Sequence, residues 1–272
     1  ANELTAAAEQ ITTGGLRLGP TAFQKRLDSR LFFVRKDGTL VTLTYFVNEK
    51  VIGFTRFTTQ GTFEAVACIP QGAGKPDQVW VIVRRNIDGV YKRYIEIFDE
   101  EVAEVLTRDW QSLQTDCATV YKGVPTDTIT GLEYLEGATV DVIADGGFLG
   151  TFVVTAGKVV LPDPVSEAEI GLHYNSKVTT MRPAIQGQVI EGIPRSWDQL
   201  FTRFYKTIGG KVNGEIIQYP QGALGTLKLF TGDCAIPTTG WDLDGYVTVL
   251  QDISYPMTLL AIFGTLSFGD GD

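Results

Sequence analysis

Residues 30–46, RLFFVRKDGTLVTLTYF, contain two apolar, β-rich runs separated by the turn sequence at 36–38. An Asp-Gly turn between alternating apolar runs is a strong sequence signal for a β-hairpin. A second Asp-Gly turn, at 88–89, separates two further runs of the same kind. The pattern predicts short antiparallel strands at about ten-residue spacing, continuing through residues 51–58, 61–69, 78–85 and 90–98.

Short strands joined by tight turns are typical of the up-and-down sheets of a β-propeller. The first hundred residues supply strands for about one and a half blades, whereas a propeller has about four or more. We therefore expect the remaining blades to come from elsewhere. The first residues, ANELTAAAEQ, lack an initiator Met, and we expect a chain that was processed, trimmed or cut from a longer one.

Two short helices are predicted near this strand-rich region. Residues 2–11 begin at a capping residue, Asn2, and are followed by two glycines at 14–15. Residues 99–110 start with an acidic cluster and carry apolar side chains every four positions, which is the stripe of a short amphipathic helix.

The rest of the chain predicts two more β units. Residues 126–174 alternate through 139–144, 150–155 and 158–161, which favours a small β-barrel. Gly146, Gly147 and Gly150 are interpreted as turn glycines, since no helix follows them as a dinucleotide fingerprint requires. The last hundred residues predict an antiparallel β-sandwich from the runs 200–207, 228–230, 246–250 and 258–266.

These patterns together predict an all-β protein with three domains. Residues 1–115 form a partial β-propeller segment with a short N-terminal helix, residues 116–175 a small β-barrel, and residues 176–272 a β-sandwich. No apolar run approaches the roughly 18 to 20 residues that a helix needs to span a bilayer, so no membrane span is expected.

Charge is distributed unevenly along the chain. Residues 1–110 hold 14 acidic and 14 basic side chains, whereas residues 111–272 hold 18 acidic and 9 basic ones, which accounts for the net charge of −9. An acidic half argues against tight binding of nucleic acid, which requires Lys and Arg at the phosphates. It is compatible with DNA passing along a repelling wall, but a solvated surface that aids solubility is the commoner reason for such a charge.

Candidate catalytic groups are few. The chain has a single histidine, His173, and three widely spaced cysteines without a CxxC motif, which argues against a disulfide framework and a histidine-based metal site. Cys117 served by His173 is one candidate nucleophile, but an inert thiol is the commoner case. Glu133, Glu136 and Asp141 are candidate carboxylates for a glycosidase pair, without a pattern that selects any two of them.

Two other clusters have ordinary interpretations. Residues 242–245, DLDG, resemble the start of a calcium loop but lack the later ligands of an EF-hand, and a turn explains them more simply. Arg84, Arg85, Lys92 and Arg93 would face each other across the second hairpin as a small basic patch, or form charged ladder pairs on a solvent face. We assign no catalytic, cofactor-binding or metal-binding residue, and expect no cofactor and no enzymatic activity.

Several stretches resemble the C-terminal portion of the tail nozzle, or tail tubular protein B, family of short-tailed bacteriophages. They occur in order over nearly the whole chain: LTAAAEQI, DGTLVTLTYF, VIGFTRFTTQGTFEAVACIP, QVWVIVRRNIDGVYKRYIE, TDTITGLEYLEGATVDVIADGG, RFYKTIGGKV, LFTGDCAIP and GWDLDGYVTVLQDISYPMTLLAI. Phe57 stands where the family pattern leads us to expect a histidine. This difference affects side-chain packing and no known chemistry of the family. The stretch LEGATVDVIADGG is also similar to a small β-barrel domain of ubiquitin-activating enzymes, without their nucleotide-binding or catalytic-cysteine domains.

The resemblance implies a structural virion protein. Family membership would make the chain a subunit of a homohexameric ring at the distal end of the phage tail, attached to an adaptor ring and surrounding the channel through which double-stranded DNA is ejected. It would be assembled in the host cytoplasm, with a host surface receptor as a further partner. The alternatives are a carbohydrate- or receptor-binding β module of a phage tail and a polysaccharide-degrading enzyme.

Overall fold

The computed structural model describes residues 11, 16–25, 29–46, 51–72, 75–98, 110, 112–184, 192–219, 228–238 and 240–269. Within these ranges the protein is all-β, with several antiparallel sheets and none closed into a barrel. The strands are β1 Leu16–Gln24, β2 Arg30–Arg35, β3 Leu40–Phe46, β4 Val51–Phe57, β5 Thr62–Ile69, β6 Gln78–Ile87, β7 Val90–Phe98, β8 Asp116–Thr130, β9 Thr139–Ala144, β10 Gly147–Val153, β11 Lys158–Leu172, β12 Ser176–Thr179, β13 Arg195–Thr207, β14 Lys211–Val212, β15 Glu215–Ile216, β16 Phe230–Ile236, β17 Thr248–Gln251 and β18 Thr258–Phe268. A 3-10 helix, Glu133–Leu135, precedes β9.

The first seven strands form two antiparallel sheets in which every strand pairs with its neighbour in sequence. One sheet has the order β1-β2-β3-β4 and the other β5-β6-β7. Both predicted Asp-Gly hairpins are confirmed, as β2–β3 and β6–β7. The sequence missed β1, because its Gly19-Pro20 pair interrupts the apolar pattern, and the pairing with β2 shifts register between Leu16 and Thr21.

The first hairpin turn depends on a glycine. Gly38 has a φ of +83°, and a Cβ at this position would lie 2.6 Å from Cβ of Thr62. The carbonyl of Gly38 accepts a hydrogen bond of 2.8 Å from the backbone amide of Phe63. The turn therefore lies directly against the start of β5, and a side chain would separate the two.

The two N-terminal sheets pack face to face around one core. Phe32, Val34 and Leu40 of the first sheet contact buried side chains of the second, which are Phe63, Val66, Val79, Val81 and Val83. The opposite face of the first sheet is also covered, because Phe33 and its neighbours form a cluster with Ile11. Strand β2 is thus buried on both faces, as its uninterrupted apolar sequence indicates.

Most of the two predicted helices lies outside the described residues. Of residues 2–11 only Ile11 is described, and it is buried. Of residues 99–110 only Trp110 is described; it is buried, and its ring centroid lies 6.0 Å from that of Tyr255.

The prediction of a small closed barrel at 116–175 is wrong. Strands β8 to β11 form an open four-stranded sheet in the order β10-β9-β11-β8, and none of the sheets in the described residues closes into a barrel. Of the three glycines interpreted as turn residues, Gly146 lies in the β9–β10 turn with a φ of +82°. Gly147 and Gly150 instead lie within β10.

The C-terminal strands form two further antiparallel sheets, with the orders β12-β17-β14-β15 and β16-β13-β18. The two sheets contribute to one core, whose buried members are Leu200, Phe204, Val212, Ile217, Cys234, Ile236, Val247 and Val249. The sandwich geometry stays a prediction. The predicted runs at 200–207 and 258–266 are confirmed as parts of β13 and β18, whereas 228–230 reaches only the first residue of β16.

The chain divides into two compact units. The first unit comprises residues 1–102, 126–140 and 152–164, and the second comprises 103–125, 141–151 and 165–272. The boundaries predicted at 115–116 and 175–176 stay a prediction. None of the described helical residues forms a segment with the length and apolarity that crossing a membrane requires.

Candidate functional site

A buried carboxylate in the second unit organises a polar cluster of four residues. Asp141 is 1% exposed, and its Oδ2 accepts a hydrogen bond of 2.5 Å from the Ser254 hydroxyl. The same oxygen lies 2.7 Å from Nδ1 of His173, whose Nε2 lies 2.9 Å from Oδ1 of Asn175. We call these four residues the Asp141 cluster.

The cluster joins three parts of the second unit. Asp141 lies in β9 between two fully buried valines, His173 follows β11, and Ser254 lies in the loop between β17 and β18. The loop has a second attachment, because the hydroxyl of Tyr255 accepts a hydrogen bond of 2.7 Å from the backbone amide of Phe148. Burial of the carboxylate is tolerable because charged and hydroxyl partners replace water at Oδ2.

The arrangement differs from a nucleophilic triad. In a triad the serine hydroxyl donates to the imidazole and the carboxylate orients the other ring nitrogen. Here the Ser254 hydroxyl donates to the carboxylate itself, and both nitrogens of His173 are occupied by Asp141 and Asn175. The geometry is that of a polar anchor for the β17–β18 loop.

His173 makes this anchor dependent on pH. Burial lowers the pKa of His173, but its hydrogen bonds to Asp141 and Asn175 and the charges of Asp141 and Asp252 outweigh burial, so the pKa lies above 6.5. A raised folded-state pKa means that the imidazolium stabilises the folded protein fully below pH 6.5, the ordinary value. That stabilisation is lost as the pH rises through the folded-state pKa.

We expect His173→Gln to destabilise the protein at pH 5.5 and to have a smaller effect at pH 8.5. Urea denaturation of both proteins at the two pH values measures this difference. His173 is the only histidine, so its imidazole proton signals can be followed by NMR without assignment ambiguity. Asp141→Asn should lower the observed pKa of His173; an unchanged pKa would contradict the proposed pairing.

The histidine that the sequence offers as a base for Cys117 is engaged by other residues. Cys117 is the second residue of strand β8 and has a φ of +52°, an uncommon conformation for a side-chain-bearing residue. Both ring nitrogens of His173 are bound elsewhere, so neither is available to take a proton from the thiol. The three described cysteines form no disulfide.

The candidate carboxylates have structural contacts. Both oxygens of Glu136 accept hydrogen bonds from backbone amides, from Ala156 at 2.9 Å and from Gly157 at 2.7 Å. Gly157 lies so close to Glu133 that a Cβ there would approach the Glu133 carboxyl carbon to 2.8 Å. Glu136 thus caps the turn that precedes β11, and Asp141 belongs to the cluster described above.

The DLDG sequence is a turn. Asp242 Oδ2 accepts a hydrogen bond of 3.0 Å from the backbone amide of Gly245, and backbone hydrogen bonds from Gly245 and Asp244 hold the pKa of Asp242 below its usual value. The second aspartate, Asp244, forms an ion pair with Arg182. Within the described ranges, no three His, Cys, Asp or Glu side chains are grouped as a metal site would require.

The predicted basic patch is divided between two faces of the second sheet. Arg84 pairs with Arg93 across the hairpin, and both guanidinium groups lie near Glu64, at 3.8 and 2.6 Å. Arg85 points the other way, is 1% exposed, and forms two hydrogen bonds of 2.7 Å with the carboxylate of Glu96. The patch therefore offers little free positive charge for phosphate groups.

Only some of these contacts can be predicted from the amino-acid sequence. Asp141 interrupts an apolar run, TVDVIA, and a charged residue at such a position is a usable signal for a buried polar contact. Ser254 and Asn175 carry no such signal, since they lie in polar loops and meet Asp141 only through the tertiary fold.

Phe57, which stands where the family pattern has a histidine, has a packing contact. Its ring lies edge-to-face against that of Phe98, and the two ring centroids are 5.5 Å apart.

Comparison with protein-family models finds no match, and comparison with curated proteins finds none.

Proposed function

We propose that this chain is a structural virion protein: a tail nozzle subunit that forms a homohexameric ring around the DNA exit channel of a short-tailed phage. It acts through assembly and gating and has no catalytic role. Its partners are further copies of itself, the tail adaptor ring, passing double-stranded DNA and a host surface receptor. The sequence resemblance is the starting point of the proposal.

One structural observation supports the proposal most directly. The first unit contains a four-stranded meander followed by a three-stranded meander, stacked face to face with β1 lying against β5. Successive propeller blades have this arrangement, in which the leading strands of neighbouring sheets lie side by side. The second meander has three strands where a propeller blade has four, which fits a propeller segment completed by other strands.

The charge distribution is compatible with a DNA conduit. Residues 111–272 carry a net charge of −9, from 18 acidic and 9 basic side chains. A negatively charged wall repels the phosphate backbone, so DNA would pass without binding. The division of Arg84, Arg85 and Arg93 between two faces, each beside a glutamate, removes the clearest candidate for a phosphate-binding patch.

Cryo-electron microscopy of purified phage particles tests the proposal. We expect density for this chain in a sixfold ring at the distal end of the tail, and its peptides in tails separated from capsids. Absence of the chain from tails would refute the proposed function.

A carbohydrate- or receptor-binding module is the alternative, and exposed Trp241 and Tyr246 in one loop region favour it. Exposed Phe263 does not favour it, because its ring stacks on that of Phe201 and lies 5.4 Å from the Arg203 guanidinium. Binding to a glycan array by a chain that forms no ring would favour the alternative.

A further inference from the structure

An exposed turn of the second unit carries aromatic side chains together with an ion pair. The turn at residues 242–245 is flanked by Trp241 and Tyr246, which are 59% and 42% exposed. Its Asp244 forms an ion pair with Arg182, and both side chains are partly exposed. The charge of Asp244 raises the pKa of Arg182, and the Tyr246 side chain adds to this effect, so Tyr246 lies beside the pair. We call Trp241, Arg182, Asp244 and Tyr246 the turn site.

Strand pairing brings the two segments of the turn site together. Strands β12 and β17 pair antiparallel, and beyond their last pair the backbone amide of Thr180 donates to the carbonyl of Val247 at 2.9 Å. The amide of Val247 in turn donates to the Thr180 hydroxyl at 3.0 Å. The segment after β12, which holds Arg182, therefore runs beside the segment before β17, which holds Asp244.

Buried side chains fix the conformation of the turn. The backbones of Arg195 and Asp242 exchange two hydrogen bonds of 2.8 Å, and the Arg195 side chain is 1% exposed. Arg195 packs so closely on Gly245 that a Cβ there would lie 2.8 Å from its Cδ. The indole nitrogen of Trp197 donates to the Gly245 carbonyl at 3.1 Å. A turn held in this way loses little conformational entropy when a ligand binds.

The Trp241 ring is held at one edge and otherwise exposed. A Cβ at Gly269 would lie 3.6 Å from Cζ3 of Trp241, and the amide of Gly269 donates to the carbonyl of Pro194 at 2.8 Å. The end of β18 thus supports the ring, while more than half of the residue surface stays in water. A large apolar ring in this position can cover a ligand of matching flatness.

The described charges around the turn cancel. One guanidinium faces one carboxylate, those of Arg182 and Asp244. Backbone hydrogen bonds from Gly245 and Asp244, together with the charge of Arg195, hold the pKa of Asp242 below its usual value. An anionic ligand would meet the Asp244 carboxylate and a cationic one the Arg182 guanidinium, so the site favours a neutral, polar ligand.

The extent of the turn site suits a small ligand. A stable protein interface buries about 800 Å² on each partner and uses about 20 to 30 residues a side. The turn site consists of four side chains on one turn and the adjoining segment. One aromatic surface with a few convergent polar groups is the usual equipment of a small-molecule site.

We propose that the turn site binds a neutral hexose unit of a host-surface polysaccharide. The C–H face of the pyranose ring packs on Trp241, which removes apolar area of both partners from water. A guanidinium only donates hydrogen bonds and a carboxylate only accepts them, so Arg182 and Asp244 together match sugar hydroxyls, which do both. This inference rests on the proposed nozzle function and gives its host surface receptor a chemical class and a site.

A glycan array with matched variants tests the site. On an array of neutral, uronate-containing and phosphorylated hexose oligosaccharides, we expect the chain to bind the neutral ones alone. Trp241→Ala should weaken this binding about tenfold, the size of a lost aromatic contact, and Trp241→Tyr, which keeps a ring, should restore most of it. Met181→Ala is the matched control, because Met181 is 81% exposed beside Arg182 but has no ring. Its affinity should equal that of the wild type.

Asp244→Asn tests the contribution of the charges. It leaves the Arg182 guanidinium without its carboxylate, so we expect weaker binding of neutral oligosaccharides and new binding of uronate-containing ones. Unchanged specificity in this variant would overturn the inference. So would equal losses in Trp241→Ala and Met181→Ala, or a wild-type chain that binds no neutral oligosaccharide.

The proposed function is tested separately from this site. A chain that is present in phage tails as a ring but binds no saccharide would keep the nozzle function and lose the turn site. A chain that binds neutral saccharides through Trp241 but is absent from tails would lose the nozzle function, and with it the assignment of the saccharide as the nozzle's receptor.

Discussion

Replacing Arg85 with methionine is expected to lower the free energy of unfolding by about 3 to 5 kcal/mol, the cost of removing one partner of a buried ion pair. Arg85 is 1% exposed and holds the Glu96 carboxylate through two hydrogen bonds of 2.7 Å. It also donates to the Thr59 hydroxyl at 2.7 Å and to the Gln60 carbonyl at 3.2 Å. Without Arg85, the Glu96 carboxylate loses its guanidinium partner, and the connection between β4 and β5 loses the hydrogen bonds that Thr59 and Gln60 accept.

Two further variants separate charge burial from loss of packing. Arg93→Met removes an exposed guanidinium of β7 that binds Glu64 of β5 across β6, and urea denaturation should show little change because exposed ion pairs are weak. The double variant Arg85→Met with Glu96→Leu should recover much of the lost stability, since a buried pair is often replaceable by apolar residues. A double variant as unstable as Arg85→Met alone would contradict this account.

Local turn chemistry explains which strands the sequence could predict. The Asp-Gly turns at 37–38 and 88–89 fix their hairpins because each needs residues that accept a positive φ. The same rule was available at Asn213-Gly214, whose φ angles are +50° and +87°. The two-residue strands β14 and β15 that it joins were nevertheless missed, because they are too short to show alternation.

The barrel prediction failed because strand β11 runs through two prolines. Alternation ended at Leu161, where Pro162 and Pro164 follow, and prolines usually confine a strand to a sheet edge. The backbone amides of residues two apart point to the same neighbouring strand. Pro162 and Pro164 therefore lack amide donors on the same side of β11. The strand can still form backbone hydrogen bonds on its other side, and it continues to Leu172 in an open sheet.

The Asp141 cluster shows the limit of sequence reasoning about polar sites. The sequence assigns Asp141 and His173 to separate candidate chemistries, because they are 32 positions apart and nothing in the pattern indicates that they meet. The third member, Ser254, lies 113 residues from Asp141 along the chain. Only the packing of the β17–β18 loop brings these groups to one oxygen.

Replacing Gly264 with alanine is expected to destabilise the protein by about 3 kcal/mol, the upper part of the usual range for overpacking. Gly264 lies in β18 opposite Leu200, beside a register shift between Trp197 and Gln199 of β13. A Cβ at Gly264 would overlap the carbonyl oxygen of Gln199 and would lie 3.2 Å from Cα of Leu200. These are backbone atoms, so neither can move aside as a flexible side chain would.

Gly53→Ala is the matched control for Gly264→Ala. Gly53 also lies inside a strand, β4, but no atom lies within 4 Å of the position that its Cβ would take. Alanine there should leave stability unchanged or raise it slightly, because glycine loses more backbone entropy on folding. Equal urea midpoints for the two variants would mean that β13 and β18 do not approach each other at Gly264. A loss confined to Gly264→Ala would instead establish that β18 needs a glycine opposite Leu200, next to the register shift between Trp197 and Gln199, as the interruption of the apolar run AIFGTL by glycine indicates.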